Sequence, residues 1–125
     1  MSKMTQTTYG NTQNVLKFNE FTAVGVTVDN TGITANAEGK KIVPAGTIVG
    51  GKTKAVLLNP QEPVVSKNTA ADGANAEGVL LNDVDVTYGA APGAMVLFGF
   101  IDISKMPEPP ADEAKVALPM IKFMM

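Results

Sequence analysis

Apolar and polar residues alternate in short runs along most of this chain. Val24, Val26 and Val28 alternate with Gly25, Thr27 and Asp29, the period of two that a strand requires. Asp29-Asn30-Thr31-Gly32 carries turn chemistry, and Ile33, Ala35 and Ala37 alternate with Thr34 and Asn36 beyond it. Together the two runs predict a hairpin. Ile42-Val43 and Thr47-Ile48-Val49 flank Pro44-Ala45-Gly46, which predicts two short strands about a tight turn. Ala55-Val56-Leu57-Leu58 is a further strand-like run, ended by Asn59-Pro60, and residues 66–77 are polar or small and predict a loop.

The most regular pattern comes later. Gly78 to Thr87 reads as one strand whose second half sets Val84 and Val86 against Asp83, Asp85 and Thr87. Tyr88 to Gly93 is the following turn, and Ala94 to Ile103 the next strand. There Val96, Phe98 and Phe100 fall on one face, and Met95, Leu97, Ile101 and Ile103 on the other. A strand apolar on both faces is covered on both sides, and in a small domain the second cover can be another subunit.

The ends differ from the body. Residues 1–14 are polar, rich in Thr, Gln and Asn, and read as a flexible arm. Residues 15–105 form the β-rich body, and residues 106–125 a separate tail. In the tail, Lys105-Met106-Pro107-Glu108-Pro109-Pro110 reads as a stiff linker. Pro110 is suited to the first position of a helix, and Asp112 and Glu113 to its first turn. Ala111 to Leu118 gives about two turns, roughly 12 Å, before Pro119 stops them. So short a helix must dock to persist. The apolar terminus Met120 to Met125 is expected to pack against its own domain or a neighbour. The fold class expected is mainly β: a small single-domain sandwich or barrel-like body, tulip-like in outline, with a polar arm and a short C-terminal helix.

Composition narrows the chemistry. The 125 residues contain no Cys, His or Trp, and all ten basic residues are Lys, set against twelve Asp plus Glu for a net charge of −2. No Cys removes disulfides and thiolates. No His removes the commonest general base and most transition-metal sites. No Arg removes the bidentate reader of phosphate and guanine, and there is no basic excess for nucleic acid or an anionic membrane. The first residues lack the apolar core of a signal peptide, and no apolar run reaches membrane length. Synthesis in a cytoplasm is expected, with no enzyme activity, catalytic residue, metal or cofactor.

Two constellations nonetheless carry possible chemistry. Gly46-Thr47-Ile48-Val49-Gly50-Gly51-Lys52-Thr53 satisfies G-x-x-x-x-G-K-[ST] in full. In a nucleotide site its amides would cradle phosphates, Lys52 would reach them and Thr53 would hold Mg²⁺. That loop opens a helix, whereas here Pro60 and Pro63 follow closely and Thr47-Ile48-Val49 is β-branched, which favours a Gly-bounded strand. Asp83 and Asp85, at i and i+2, share one strand face and with Asp102 could offer oxygen ligands to a cation, or be a solvated face. Lys40-Lys41 and Lys52 with Lys54 read as solvated charges, or as a contact for an acidic partner surface. Ala35-Asn36-Ala37-Glu38-Gly39 recurs as Ala74-Asn75-Ala76-Glu77-Gly78, but the flanks do not align and no duplication is read from it.

Three segments in order, Pro44 to Gly51, Ala76 to Val86 and Gly93 to Asp102, carry a family resemblance. With a polar arm before them, they resemble the head decoration and head-fibre-base proteins of tailed bacteriophages. The resemblance spans about residues 40–105. It implies a small β-rich structural protein of the virion, made in the host cytoplasm and bound to the outer surface of the expanded head, where it cements the shell. It also implies a homotrimer and a partner in the phage major capsid protein, on which the arm adds a strand. Contact with the capsid is then expected at Thr7, Thr8, Tyr9, Val15 and Leu16. The interface between copies is expected at Met95, Leu97, Ile101, Ile103, Leu118, Ile121 and Phe123. A head-fibre base or tail component is the alternative within the virion, and a small nucleotide binder using Lys52 the alternative outside it.

Overall fold

The structure, a computed structural model, describes residues 16, 21–30, 33–69, 71 and 73–124. Among these, the strands in chain order are β1 (Thr22–Val28), β2 (Ile42–Val43), β3 (Ile48–Gly51), β4 (Val64–Ser66), β5 (Gly78–Leu80), β6 (Val84–Asp85), β7 (Ala91–Asp102) and β8 (Ile121–Met124). One short helix, α1 (Asp112–Ala117), precedes β8. The fold is mainly β. Strands β1, β4, β3, β5 and β7 follow one another, and β1 pairs with β7 to close a five-stranded barrel. Strand β8 extends the sheet outside the barrel, parallel to the second half of β7. The ribbon β2–β6 forms a separate two-stranded piece.

Closure is uneven. The β1–β7 seam runs from Thr22 opposite Phe98 to Val28 opposite Ala91. The β1–β4 seam rests on one register pair, Val28 with Val64, and on the Asp29 amide donating to the Val64 carbonyl at 3.0 Å. Closing a sheet removes both of its hydrogen-bonding edges, which is how so few short strands become stable.

The alternation of strand side chains builds two apolar cores, one on each side of the barrel wall. Inside the barrel lie Val28, Val49, Val64, Leu80 and Met95. Outside it, under α1 and β8, lie Ile48, Val79, Ile101, Ala114, Leu118 and Ile121. Neighbours in sequence thus serve opposite cores: Ile48 outer and Val49 inner on β3, Val79 outer and Leu80 inner on β5. This is why the late strands are apolar on both faces, and the second cover is the chain's own C-terminal tail. Helix α1 begins with Asp112 and Glu113 at its positive end and presents the fully buried Ala114 to Gly73. Asn68 fixes its approach: its side chain accepts from the Ala111 amide (2.7 Å) and donates to the Pro109 carbonyl (2.9 Å).

Several expectations change. Residues 33–40 form no strand, so the hairpin after β1 is absent. The Asn36 side chain instead accepts from the amides of Glu38 and Lys40 and stabilises a local turn. Strand β1 finds its partners in β7 and β4, far along the chain. Ala55–Leu58 is turn, because the Asn59 and Leu58 amides donate back to the carbonyls of Val56 and Ala55. Val64–Ser66 forms a central strand that the pattern did not announce. The 78–87 strand breaks at Leu81-Asn82, sending β5 into the barrel and β6 to the ribbon. Pro44-Ala45-Gly46 does turn, but the strands it joins, β2 and β3, lie in different sheets.

The predicted faces of β7 also change. Thr22 stands opposite Phe98 and Ala23 opposite Val96, so Leu97 is an extra residue, a bulge. One extra residue swaps the faces beyond it. Met95 therefore lies in the barrel while Ile101, of the same parity, lies in the outer core.

Candidate functional site

The motif at residues 46–53 lies on β3 and the turn that follows. Its last two glycines serve close packing. A Cβ at Gly50 would run into the Asn75 carbonyl and the Lys67 side chain, and one at Gly51 into the Lys54 carbonyl. No helix follows; residues 52–58 are bends and turns. A loop this tight points several amides inward, and they need an acceptor.

That acceptor is Glu77, 26 residues downstream of Gly51, immediately before β5. One of its carboxylate oxygens accepts from the amides of Gly51 (2.7 Å) and Val56 (2.8 Å), and the other from Leu57 (3.0 Å). Glu62 closes the outer side of the same loop. It accepts from the Thr53 amide and hydroxyl, both at 2.7 Å, and from the Lys54 amide at 3.3 Å. The Thr53 hydroxyl above all, then its amide, holds the Glu62 carboxyl below its ordinary range. Lys52, the residue that would reach a phosphate, pairs with Asp29 at 3.1 Å. The nest of amides is real, and side-chain carboxylates of the chain itself fill it.

The three Asp residues separate. Asp83 accepts from the Ala45 amide at 2.7 Å and ties the turn after β2 to the segment before β6. Asp85 accepts from the Thr87 hydroxyl and amide, which hold its carboxyl below the usual value. The buried Asp102 accepts from the Ser104 amide (3.0 Å) and hydroxyl (2.6 Å) and starts a short 3-10 turn. Each is engaged at a different turn. Among the described residues no three acidic side chains are grouped to hold a metal ion. The repeated pentapeptides also take different roles, a surface turn at 35–39 and the approach to β5 at 74–78.

Of the residues expected at the capsid, Thr7, Thr8, Tyr9 and Val15 lie outside the described residues, and Leu16 makes a β-bridge to Ile101. Of those expected between copies, Met95 and Ile101 are wholly buried, and Leu118 and Ile121 are 5% exposed, all within a single chain. Leu97, Ile103 and Phe123 are partly covered and pack on the same two cores. Met95, Ile101, Leu118 and Ile121 thus belong to the cores of the single chain, and Leu97, Ile103 and Phe123 keep part of their surface open to solvent. The large apolar side chains that face solvent are others, among them Leu57, Leu58, Tyr88, Val116 and Met120.

A polar cavity of about 300 Å³ opens beside the loop, lined by Lys52, Lys54, Lys67 and Glu77 with the backbone around them. The sequence pairs Lys52 with Lys54, but nothing local brings in Lys67 or Glu77; both arrive through the pairing of β3 with β4 and β5. No helix among the described residues is long and apolar enough to cross a membrane. Compared with protein-family models and with curated proteins, the chain matches none.

Proposed function

We propose that the chain is a structural protein of a tailed-phage virion that binds the outer surface of the mature head and cements it. The observation that carries this reading is where the three resembling segments lie. Pro44 to Gly51 supplies β3, Ala76 to Val86 supplies β5 and β6, and Gly93 to Asp102 supplies most of β7. Strand β5 pairs with β3 on one side and β7 on the other, so the segments are one contiguous wall. The mainly β fold with little helix is of the kind the resemblance implies. The carboxylates that could have done chemistry accept from backbone amides and hydroxyls, as befits a scaffold.

Cementing follows from mass action. A subunit that binds only the expanded lattice stabilises it by its binding free energy. Selectivity for that lattice needs a composite site that the compact precursor lacks. The partner is the major capsid protein, and residues 1–14 add to its surface as an extended strand. The test is sedimentation of purified protein with heads of the phage that encodes it. Saturable binding to expanded heads, and little to precursor shells, is expected; protein left in the supernatant with both overturns the reading. A chain lacking residues 1–14 is expected to keep its melting temperature and bind heads more weakly, and unchanged affinity would remove the arm's role.

A further inference from the structure

Strand β1 is paired fully along one edge only. Its β7 edge is complete from Thr22 to Val28, whereas β4 meets it at Val28 alone. The Asp29 amide donates to the Val64 carbonyl, so it points to the β4 side. Successive residues of a strand turn their amides and carbonyls to opposite edges. The groups of Ala23 and Gly25 therefore point to the β4 side as well, and those of Val24 and Val26 serve β7. The Ala94 carbonyl, across from Gly25, accepts from Leu81 on the far side of β7, as this alternation requires. Among the described residues nothing pairs with Ala23 or Gly25 at the open edge. The side chains along the gap are uncovered too. Val24, Val26 and Val28 share the face turned into the barrel, where Val26 and Val28 are buried. Val24 is 36% exposed on that same face, and Phe98, opposite Thr22, is 39% exposed. No residue from Phe21 to Val28 is charged. Free edges are commonly guarded by a charge, as β8 is by the exposed Lys122. Strand β1 has an unguarded edge with a stretch of barrel wall missing beside it.

We infer that two copies of the chain meet at this edge, β1 against β1, antiparallel about a two-fold axis. An axis normal to the sheet keeps each face on its own side, as an isologous strand pair requires. Centred on Val24, it sets Ala23 opposite Gly25 of the second copy and Gly25 opposite Ala23. Each of these pairs exchanges both of its N–H···O bonds, which uses every free backbone group of the two residues. Val24 meets its own copy at the closer spacing of a non-hydrogen-bonded pair, and β-branched side chains pack well there. The occupant is a second copy because one register satisfies both observations: it matches the free amides and carbonyls, and it covers the exposed Val24 with itself. An uncharged strand also lies against itself without like charges meeting. Gly25 has open space on its outer face, so nothing of its own chain stands over the joint. The arrangement is two-fold, in place of the threefold one that the resemblance implies, and it does not depend on the virion reading.

The experiment is light scattering with size-exclusion chromatography on the full chain at about 100 µM, with amide hydrogen exchange on the same sample. The wild type is expected at twice the chain mass. The Ala23 and Gly25 amides are expected to be protected there and to lose protection on dilution, whereas Val24 and Val26, bonded to β7, keep theirs. Gly25→Pro removes an edge amide and no β7 bond, and Val24→Lys and Val24→Asp each set like charges on the axis. Each variant is expected to weaken dimerisation by roughly tenfold or more while keeping the wild-type circular dichroism spectrum. Val24→Lys mixed one to one with Val24→Asp is expected to restore a dimer, because the axis then joins opposite charges. A wild-type monomer or a mass of three chains would overturn the inference. So would protection of Ala23 and Gly25 in a monomer, which would put a segment of the same chain, such as residues 1–15, on the edge. If Gly25→Pro misfolds, the Val24 variants decide: dimers as tight as the wild type from either one alone, or a mixture of folded variants that stays monomeric, also count against it.

Discussion

Glu77 does for the 51–57 loop what a bound anion does for a nest of amides, and the energetic consequence is large for one side chain. Three backbone donors converge on it. Hydrogen bonds to a charged group contribute more than neutral ones, and amides left unpaired beneath a surface are costly. Glu77→Ala is therefore expected to lower stability by roughly 2–3 kcal/mol in urea unfolding. Added formate, which returns a carboxylate to the nest, should recover part of that loss; no formate effect would mean that the amides do not act as an anion site. Glu62 gives a second expectation. Its carboxyl is lowered chiefly by the Thr53 hydroxyl, so Thr53→Ala should raise the Glu62 midpoint toward 4.5 in a carbon-detected NMR titration, without fully restoring it, because two amides remain. The sign follows from linkage: a lowered folded-state value stabilises the fold above the ordinary carboxyl value, and this contribution is lost as pH falls through the lowered one. Asp85, lowered by Thr87, behaves in the same sense. In the sequence the Gly46–Thr53 motif stood out at once, but what occupies it did not. Glu77 is one residue of a repeated pentapeptide with no local mark of its role, and only the β3–β5 pairing brings it to Gly51.

At the scale of the element, local pattern succeeded where strands are long or ends are capped by chemistry. The valines of β1, the late apolar run of β7 and the Pro-bounded α1 were legible because period and punctuation are local properties. Strand β4 was not, since Val64 to Ser66 is too short to show a period and follows Pro63. The false hairpin after β1 arose because alternation marks a strand but not its partner, and closure takes the pairing to β7. The bulge at Leu97 was invisible for the same reason, being a fact about register between strands. Glycines test this level. Gly25 on β1 has open space where a Cβ would go, whereas at Gly51 the Lys54 carbonyl stands in the way. Gly25→Ala is expected to be neutral or stabilising by up to ~1 kcal/mol, through a stiffer unfolded chain. Gly51→Ala should destabilise by about 3 kcal/mol or more, because backbone must move rather than a side chain. Equal melting temperatures for the two variants would contradict the close packing at this turn.

For the molecule as a whole, the question is whether the barrel and its C-terminal cover are one cooperative unit. The two cores share β3, β5 and β7, each core taking different side chains from them. A strand cannot leave one core and stay in the other, so losing either should undo both. The outer core also depends on residues at the far end of the chain: Ala114, Leu118 and Ile121 cover Ile48, Val79 and Ile101. Leu80→Ala in the barrel and Ile101→Ala outside it should each cost about 2–5 kcal/mol, the range for emptying a buried aliphatic site. Both should shift a single urea transition without changing its slope, because the surface exposed on unfolding is the same. A chain ending at Lys105 would leave Ile48, Val79 and Ile101 facing water, and should bind a hydrophobic dye and lose its sharp transition. The decisive comparison is Ile101→Ala followed by circular dichroism and by amide exchange at β1. If β1, which contributes Val26 and Val28 to the barrel core alone, kept wild-type protection while the tail melted, the cover would be an appendage to an independent barrel. The shared strands require the opposite: protection at β1 should fall by the same free energy that Ile101 loses.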